Sequence, residues 1–349
     1  MQQLFLLLFI MTTFIACDVS VKGGPEVKKT SLQEYFNYGD SGVQSGGIKM
    51  IPIKTPAGDF KVWTKRFGNN PKVKILLLHG GPAGTHEGFE CFESFFPKEG
   101  FEFYEYDQLG SYYSDQPKDS SLWTIDRFVD EVEQVRQALK LDSSNFIILG
   151  HSWGGILALE YALRHQVHLK GLIISNMMAS APDYGKYSEV LAKKMDPVVL
   201  AEIRALEANN DVANPRYMEL LIPNFYNQHL MRLPEWPEPV NRMFKHLNGE
   251  IYTMMQGPSE FGISGRLSKW DRKADLPQLT LPVLTIGAGN DTMDPKHMEW
   301  MSTRVRKGTY LHCPEGSHMA MWDDQKVYME GVISWIKTLM ANSEEGDMP

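Results

Sequence analysis

The sequence is poor in clustered positive charge and in long apolar runs, and each shortage excludes a class of protein. Its 349 residues include 35 Lys and Arg against 43 Asp and Glu, which gives a formal net charge of −8 at pH 7. Because no basic patch is interleaved with aromatic residues, nucleic-acid binding has no electrostatic support, and we expect no nucleic-acid partner. The apolar stretch near the N-terminus runs only from Leu4 to Ile15, which is too short to span a bilayer comfortably.

Cysteine is also scarce, with three in the chain, and one of them ends that apolar stretch. The segment FIAC, 14–17, has a small residue directly before Cys17. It resembles a bacterial lipobox, in which the cysteine is lipidated and becomes the new N-terminus. We therefore expect residues 1–17 to be a lipoprotein signal peptide. The lipid on Cys17 would anchor the protein to a membrane of the bacterial cell envelope, with the folded domain outside the cytoplasm. A plain secretory signal or a short anchor is the alternative.

Residues 18–47 are polar, rich in Gly and Ser, and without apolar periodicity. This composition is typical of a flexible tether between a membrane and a folded domain. If Cys17 is lipidated, Cys91 and Cys313 are the two cysteines that remain. In an oxidising compartment they could form a disulfide, but the sequence is equally consistent with two free thiols.

Strand and helix patterns alternate at short intervals from residue 48 onward. Continuous apolar runs such as VKILLLHGG are typical of strands buried on both faces. The segment TIDRFVDEVEQVRQALKL, 124–141, has apolar residues at helical spacing, and a final helix is expected from about Asp323 to Asn342. This order predicts an α/β fold with a mostly parallel sheet and helices on both faces.

The alternation stops between residues 177 and 279, where the chain is helical in parts and punctuated by proline, as in LPEWPEPVNRMF. We interpret 177–279 as a helical cap inserted after the sixth core strand. Residues 48–176 and 280–343 then form the core. The alternative is a longer α/β domain with irregular loops.

A candidate nucleophile lies between a predicted strand and a predicted helix. Ser152 is at the centre of GHSWGG, 150–155, which matches the G-x-S-x-G pattern of a nucleophile elbow. Such a turn is sharp and strained, so side chains at Gly150 or Gly154 would clash with neighbouring elements, while the serine hydroxyl is exposed. A lone G-x-S-x-G is a weak signal, but a strand before it and a helix after it make the signal strong.

A serine nucleophile needs a base, and the base needs an orienting carboxylate. His318 follows the last predicted strand, in LHCPEGSHMAMWDD, and Asp291 follows the strand before it, in LTIGAGNDTMDP. The chain order Ser152, Asp291, His318 is the one found in α/β enzymes with this elbow. Asp294 is the alternative acid. His151 neighbours the serine, but we expect its side chain to point away at the elbow.

The tetrahedral intermediate of an acyl transfer also needs N–H donors. The segment LLLHGGPAG ends an earlier predicted strand, and its glycines let the backbone approach a substrate closely. We assign the oxyanion hole to the N–H groups of Gly81 and Trp153. The alternative is a Gly-Pro turn with no catalytic part.

Six segments together resemble the proline iminopeptidase family of α/β-hydrolases, and they are most similar to the tricorn-interacting aminopeptidase type and its amino-acid amidase relatives. The resemblance covers about residues 47–340. It implies the α/β-hydrolase fold and a serine hydrolase without metal or other cofactor. The expected reaction releases an N-terminal residue, often proline, from short peptides, amides or arylamides. The segments are HGGPAGTHE, YEYDQLGSYYSDQP, GHSWGG, MQGPSEFGISGRLSKWD, GNDTMDP and GSHMAMWDD.

The resemblance also implies a role for Glu260 in GPSEF, which matches the family's carboxylate for the substrate α-ammonium. An aminopeptidase needs such a carboxylate in a pocket of low dielectric, facing the catalytic residues. A glutamate at the surface with no such role is the alternative. Glu87 and Asp294 are other acids that could assist.

The sequence departs from the family pattern at three positions. Ala83 is the fifth residue of the family's HGGPG, Tyr112 replaces a glycine after the D-Q motif, and Thr292 replaces a glutamate found in some relatives. The second functional hypothesis is therefore an amino-acid amidase or esterase with the same triad. The third is a surface binding protein that keeps the fold without catalysis.

Overall fold

The computed structural model describes residues 46–345, and it describes side chains as far as residue 341. The expected signal peptide, Cys17 and all but the last two residues of the expected tether lie outside the described residues. The described chain forms one eight-stranded sheet. Its strands are β1 (Ile48–Thr55), β2 (Gly58–Phe67), β3 (Lys74–Leu78), β4 (Glu102–Asp107), β5 (Phe146–His151), β6 (Gly171–Ser175), β7 (Pro282–Ala288) and β8 (Lys307–Cys313).

The strand order is β1-β2-β4-β3-β5-β6-β7-β8. The pairs β1–β2 and β2–β4 are antiparallel, and all other neighbouring strands are parallel. The prediction of an α/β-hydrolase fold with a mostly parallel sheet is confirmed. Since parallel strands end at one edge of the sheet, the loops that follow β3, β5, β7 and β8 meet there, which is where such sheets bind ligands.

The helices, in chain order, lie both around the sheet and in the segment between β6 and β7. They are α1 (Ile125–Leu139), α2 (Trp153–His165), α3 (Ala181–Ala192), α4 (Pro197–Ala208), α5 (Pro215–Leu221), α6 (Asn227–His229), α7 (Glu238–His246), α8 (Gly249–Met255), α9 (Pro295–Arg304), α10 (Ala320–Asp323) and α11 (Gln325–Glu345). No helix in the described part of the chain is long and apolar enough to cross a membrane.

Successive residues of the central strands belong to two separate apolar clusters. Leu76 and Leu78 pack in the cluster that contains the buried sides of α1, α2 and α9. Ile75 and Leu77 pack in the cluster that contains the buried side of α11. Helices therefore cover both faces of the sheet, which is why these strands are continuously apolar rather than alternating.

The two helices predicted with explicit bounds differ from the structure mainly at their ends. For the first, predicted over 124–141, the Thr124 side chain accepts a hydrogen bond from the N–H of Arg127 and caps α1, and Lys140 ends it in a left-handed conformation. The final helix is interrupted at its start, because α10 and α11 are separate. Just before the break, the Asp323 carboxylate accepts a hydrogen bond from the Ser317 N–H at 3.0 Å and so holds the loop that contains His318.

The segment expected to form the cap contains α3 to α8. Ten of its residues form an apolar cluster of their own, distinct from the two clusters on the sheet. That cluster includes Ile203, Tyr217 and Phe225, all of which are buried. The segment thus has an apolar centre of its own, while other residues of it, such as Val240 and Ile251, pack in the two clusters on the sheet.

Candidate active site

Ser152 occupies the turn between β5 and α2. Its backbone has φ 54° and ψ −124°, in the left-handed region that residues with a side chain adopt only at a cost. A Cβ atom at Gly150 would lie 2.0 Å from the Gly154 carbonyl oxygen, and one at Gly154 would lie 1.9 Å from the Leu78 carbonyl oxygen. Only glycine at both positions lets α2 approach β3 and β5 this closely, and this close approach produces the sharp turn.

Asp291 and His318 form a buried pair at the same edge of the sheet. His318 Nδ1 donates a hydrogen bond of 2.8 Å to Asp291 Oδ1. The other carboxylate oxygen, Oδ2, accepts a hydrogen bond of 2.7 Å from the side-chain amide of Asn176, directly after β6. The backbone N–H of Met293 donates to Oδ1 at 3.0 Å. These contacts fix the carboxylate and direct the proton of His318 to Nδ1, which leaves Nε2 as the basic nitrogen.

The competing acid, Asp294, has a different place. Its Oδ1 accepts a hydrogen bond from the backbone N–H of Lys296 and caps the N-terminus of α9. Thr292 is fully buried between the two aspartates, and its hydroxyl lies 3.2 Å from His318 Nδ1. The structure therefore brings Asp291 rather than Asp294 to the histidine.

The electrostatic surroundings of His318 favour its protonated form. Burial opposes protonation, but the charge of Asp291, the hydrogen bond to it and the charge of Glu260 outweigh burial and raise the pKa of His318 above 6.5. Nε2 is buried and has no hydrogen-bond partner among the described residues. Ser152 and His318 line one cavity, but no hydrogen bond joins them there.

The expectation that the His151 side chain points away from the site is wrong. Its ring lines the same cavity, and its centroid lies 4.9 Å from that of His318. Burial and the neighbouring His318 lower the pKa of His151 well below 6.5, so this ring is neutral. The turn exposes the serine hydroxyl, but the large ring beside it fills space between Phe89 and His318 instead of leaving the site.

Of the two expected oxyanion donors, Gly81 lines the cavity that contains Ser152, and Trp153 directly follows Ser152 in the chain. Gly81 has φ 115° and lines the cavity. A Cβ atom at Gly80 would lie 3.1 Å from the Ser152 Cβ, so this backbone passes directly beside the serine. Trp153 begins α2, and its N–H therefore has no acceptor within the helix.

A residue without a role in the sequence-based prediction joins these two segments. The Gln108 side chain accepts a hydrogen bond of 2.8 Å from the Trp153 indole and donates one of 3.2 Å to the His79 carbonyl. Its backbone N–H donates to His79 Nε2 at 3.1 Å. Gln108 thus ties the loop after β3 to the start of α2. The D-Q motif at the end of β4 marks this position in the sequence, although only the fold shows what Gln108 contacts.

Glu260 lies in the cap and lines the same cavity as Ser152 and His318. Its carboxylate accepts hydrogen bonds from the hydroxyls of Tyr252 at 2.6 Å and Tyr184 at 3.4 Å. Burial and the charge of Glu260 raise the pKa of both tyrosines well above 10, so both keep their protons. Within the described residues no cationic side chain forms an ion pair with Glu260, which leaves its charge facing the cavity.

Glu87, another acid considered for the substrate amine, already accepts hydrogen bonds from two basic side chains. Arg242 Nη1 donates to Glu87 Oε1 at 2.6 Å, and His246 Nδ1 donates to Oε2 at 2.9 Å. Glu260, and not Glu87, is therefore the acid available in the cavity.

The structure also describes the first departure from the family pattern. Ala83 has φ 57°, a backbone conformation that favours the glycine found at this position in the family.

The remaining wall of the cavity is mainly apolar. The cavity is bounded by the polar groups described above together with aliphatic, thioether and aromatic side chains. Such a surface suits an uncharged side chain and excludes water from the reacting atoms. These side chains are Phe89, Leu230, Met243, Phe244, Leu247, Met319 and Met321.

The two cysteines of the described residues do not line this cavity. Cys91 and Cys313 are both free and buried, so they form no disulfide in this structure.

A cluster of possible metal ligands also lies outside the cavity. At the end of α2 opposite to Ser152, potential ligand atoms of Glu133, His165 and His168 lie within 4.8 Å of one another. The Glu133 carboxylate, however, already accepts four hydrogen bonds, which leaves no lone pair for a metal ion. The donors are Arg136, Gln137 and Tyr161.

Comparisons with known proteins agree with this arrangement. A family model described as the alpha/beta hydrolase fold matches residues 74–325. The chain is 72% identical over 288 residues to the proline iminopeptidase of Flavobacterium johnsoniae, covering 82% of this chain and 97% of that protein. It is 67% identical to the proline iminopeptidase of Elizabethkingia meningoseptica, covering 84% and 99%. A solved proline iminopeptidase structure from Mycobacterium smegmatis has a TM-score of 0.75 and 26% identity, covering 85% of this chain and 99% of that one.

Proposed function

The chain belongs to the proline iminopeptidase family of α/β-hydrolases, and we propose that it is a serine aminopeptidase that releases N-terminal proline from short peptides or amides. The observation that carries this proposal is the placement of Glu260. A buried carboxylate without a cationic partner faces the cavity that contains Ser152 and His318. The positive charge that complements it is the free amine of a substrate, because a charge-assisted hydrogen bond there offsets the cost of burying the carboxylate.

Substrate binding begins with that amine. The imino group of an N-terminal proline donates to Glu260, whose orientation is fixed by Tyr184 and Tyr252. The pyrrolidine ring lies against the apolar wall of the cavity, and this contact places the scissile carbonyl beside Ser152. Holding both ends of the first residue in this way converts an encounter in solution into an oriented reaction.

Acylation follows from the geometry around Ser152. Its hydroxyl oxygen attacks the carbonyl carbon while His318 Nε2 takes the hydroxyl proton. Asp291 holds the proton on Nδ1 of the histidine and stabilises the imidazolium. The N–H groups of Gly81 and Trp153 donate to the oxyanion. When the carbon–nitrogen bond breaks, His318 returns its proton to the leaving amine.

Deacylation uses the same groups in the reverse order. A water molecule gives its proton to His318 Nε2 and attacks the acyl carbon. The oxyanion is held again at Gly81 and Trp153, and the ester bond to Ser152 breaks as His318 protonates the serine oxygen. Free proline leaves, and no cofactor takes part in any of these steps.

The experiment that tests the proposal is hydrolysis of arylamides of Pro, Ala, Leu and Phe, each with and without an N-acetyl block, beside a simple butyrate ester. We expect cleavage of the free-amine substrates, with proline preferred, and loss of cleavage on acetylation. Efficient cleavage of the ester and of blocked substrates would instead support the second hypothesis, a general amidase or esterase with the same Ser152, Asp291 and His318.

We also propose that Cys17 carries a lipid that anchors the protein in the bacterial cell envelope. The support is the FIAC segment at the end of the apolar stretch. In a bacterial host fed a clickable fatty acid, the wild-type chain should be labelled and sediment with membranes, whereas Cys17→Ala should lose both properties. Cys91→Ala is the control that keeps the label. An unlabelled wild-type chain would contradict the anchor and leave the proposed activity untouched.

A further inference from the structure

The cap helix α7 has two sides with different chemistry. Arg242 and His246, four residues apart, contact acids of the turn that follows β3, His86–Ser94. Met243 and Phe244, on the same helix, line the cavity together with Ser152 and Glu260. The helix that forms one wall of the substrate cavity therefore also makes charged contacts to the core.

Arg242 is the centre of these contacts. Its Nη1 donates to Glu87 at 2.6 Å, its Nη2 to Glu90 at 2.7 Å and its Nε to Glu238 at 2.7 Å. Glu87 is 1% exposed, whereas the Arg242 side chain is 33% exposed. A buried carboxylate that loses its cationic partner bears the full cost of its desolvation, so this contact strongly favours the observed position of α7.

His246 adds two contacts at the end of the helix. Its Nδ1 donates to Glu87 at 2.9 Å, and its ring stacks on Tyr112 with a centroid distance of 3.9 Å and an interplanar angle of 8°. Tyr112 is the residue that replaces a glycine of the family pattern. Two residues further on, the Asn248 N–H donates to the Ala83 carbonyl at 3.1 Å and fixes the chain beside the oxyanion loop.

The core turn also contacts the apolar side of the helix. A Cβ atom at Gly88 would lie 2.7 Å from Met243 Sδ, so the thioether packs directly against the backbone of the turn. The Gly88 carbonyl in turn accepts a hydrogen bond of 2.8 Å from the Trp322 indole. Because the charged contacts and the apolar contacts lie on one short helix, a displacement that breaks the first also moves the cavity wall.

We propose that Arg242 and His246 are positioning residues that determine which substrate lengths are accepted, by fixing α7 against the turn His86–Ser94. This inference rests on the proposed function, since it concerns the peptide that continues beyond the scissile bond. With α7 in place, Met243, Phe244 and Leu247 close the cavity around the first residues of a substrate. When α7 is released, longer peptides enter, while the chemistry at Ser152 is unchanged for a small substrate.

The test compares proline arylamide with proline-initiated dipeptides and hexapeptides on purified variants. Arg242→Ala removes the central contact, Arg242→Lys keeps a charge without the fork of donors, and His246→Phe keeps the ring stack without the bond to Glu87. The matched control is Arg216→Ala, since Arg216 also lies on a cap helix and pairs with Glu202 at 2.7 Å, but does not line the cavity. Amide hydrogen exchange of residues 238–247 reports the mobility of α7 directly.

We expect Arg242→Ala to raise the ratio of hexapeptide to dipeptide kcat/KM about tenfold, with kcat on the arylamide close to that of the wild type. His246→Phe and Arg242→Lys should give smaller increases, and Arg216→Ala none. Exchange in residues 238–247 should accelerate most in Arg242→Ala, less in His246→Phe and Arg242→Lys, and not in Arg216→Ala. An unchanged ratio, a proportional loss on all substrates, or unchanged exchange in α7 would overturn the inference. Absence of arylamide cleavage by the wild type would instead contradict the proposed function, and the exchange measurement would still decide whether Arg242 fixes α7.

Discussion

The two walls of the cavity are built in different ways. The wall at the sheet edge holds Ser152, Asp291 and His318 in the segments that follow β5, β7 and β8, and the strained turn at Ser152 is fixed by backbone packing at Gly150 and Gly154. The cap wall holds Glu260 and α7 through side-chain hydrogen bonds and ion pairs. A site can thus fix its reacting atoms through backbone packing while the groups that select the substrate depend on side-chain contacts.

The largest effect should come from the wall at the sheet edge. Ser152→Ala removes the nucleophile, and we expect turnover to fall by a factor on the order of 10⁶. The folded structure should be retained, because alanine lacks only the hydroxyl. Steady-state kinetics and the thermal unfolding midpoint measure the two properties. A variant that keeps wild-type turnover would rule out Ser152 as the nucleophile.

Replacing one glycine by alanine in each wall should affect the free energy of unfolding very differently. At Gly154 an added Cβ would lie 1.9 Å from the Leu78 carbonyl oxygen, whereas at Gly185 in α3 nothing lies within 4 Å. We expect Gly154→Ala to lower the free energy of unfolding by about 4 kcal/mol or more, as for other severe core substitutions. Gly185→Ala should be neutral or raise it by about 0.5–1 kcal/mol, because alanine favours a helix. Chemical denaturation checks both, and equal values for the two variants would contradict the contrast.

Removing Asn176, which binds the carboxylate of Asp291, should lower activity less than removing the nucleophile. Asn176→Gly removes the amide that binds Asp291 Oδ2 while tolerating the backbone φ of 53°. The loss of a hydrogen bond to a charged group should lower kcat/KM by about tenfold to a hundredfold. Asn210→Gly is the matched control, since Asn210 has φ 55° and is exposed in the cap. Similar kinetics for the two variants would show that Asn176 does not position Asp291.

The smallest expected effect is a shift in the pH dependence of Ser152 reactivity. It tests whether Glu260 on the cap wall influences His318 on the other wall. Burial opposes protonation of His318, but Asp291 and Glu260 raise its pKa above 6.5. Because only neutral His318 accepts the serine proton, reactivity should rise with pH through this pKa and be lost below it. Glu260→Gln removes one of the charges that raise the pKa of His318. The rise of Ser152 reactivity with pH should therefore occur at a lower pH in this variant. The pH dependence is measured as the rate of Ser152 labelling by an uncharged fluorophosphonate, because this reagent has no amine that titrates. An unchanged pH dependence in Glu260→Gln would show that Glu260 does not raise the pKa of His318.

The difference between the walls also explains what the sequence could predict. The elbow, the chain order of Ser152, Asp291 and His318, and the parallel strands around them follow from local patterns of strand, turn and helix. The contacts that orient these residues do not, since Asn176 and Asp291 are 115 residues apart and Tyr184 and Glu260 are 76 apart. Such pairs are created by the fold, and no local period or motif marks them.

Three side chains of the site have contacts that could not be predicted from the residues next to them in the sequence. The His151 ring lines the cavity instead of leaving it, because the neighbours that hold it, Phe89 and His318, come from other parts of the chain. The role of Tyr112 was also hidden in the sequence, since its partner His246 belongs to the cap. Resemblance to a family indicated that Glu260 binds an amine, but the two tyrosines that orient it are visible only in the folded chain.

The most direct test of the account measures kcat/KM for proline arylamide and for its N-acetylated form with the wild type and with Glu260→Gln. The exposed cap variant Glu202→Gln serves as the control. If Glu260 binds the free amine, the wild type and the control should prefer the free-amine substrate by a factor on the order of a hundred or more, and Glu260→Gln should lose most of that preference. If Glu260→Gln keeps the full preference, or if the wild type cleaves both substrates equally, the cavity does not select its substrate through Glu260 and the aminopeptidase assignment is wrong.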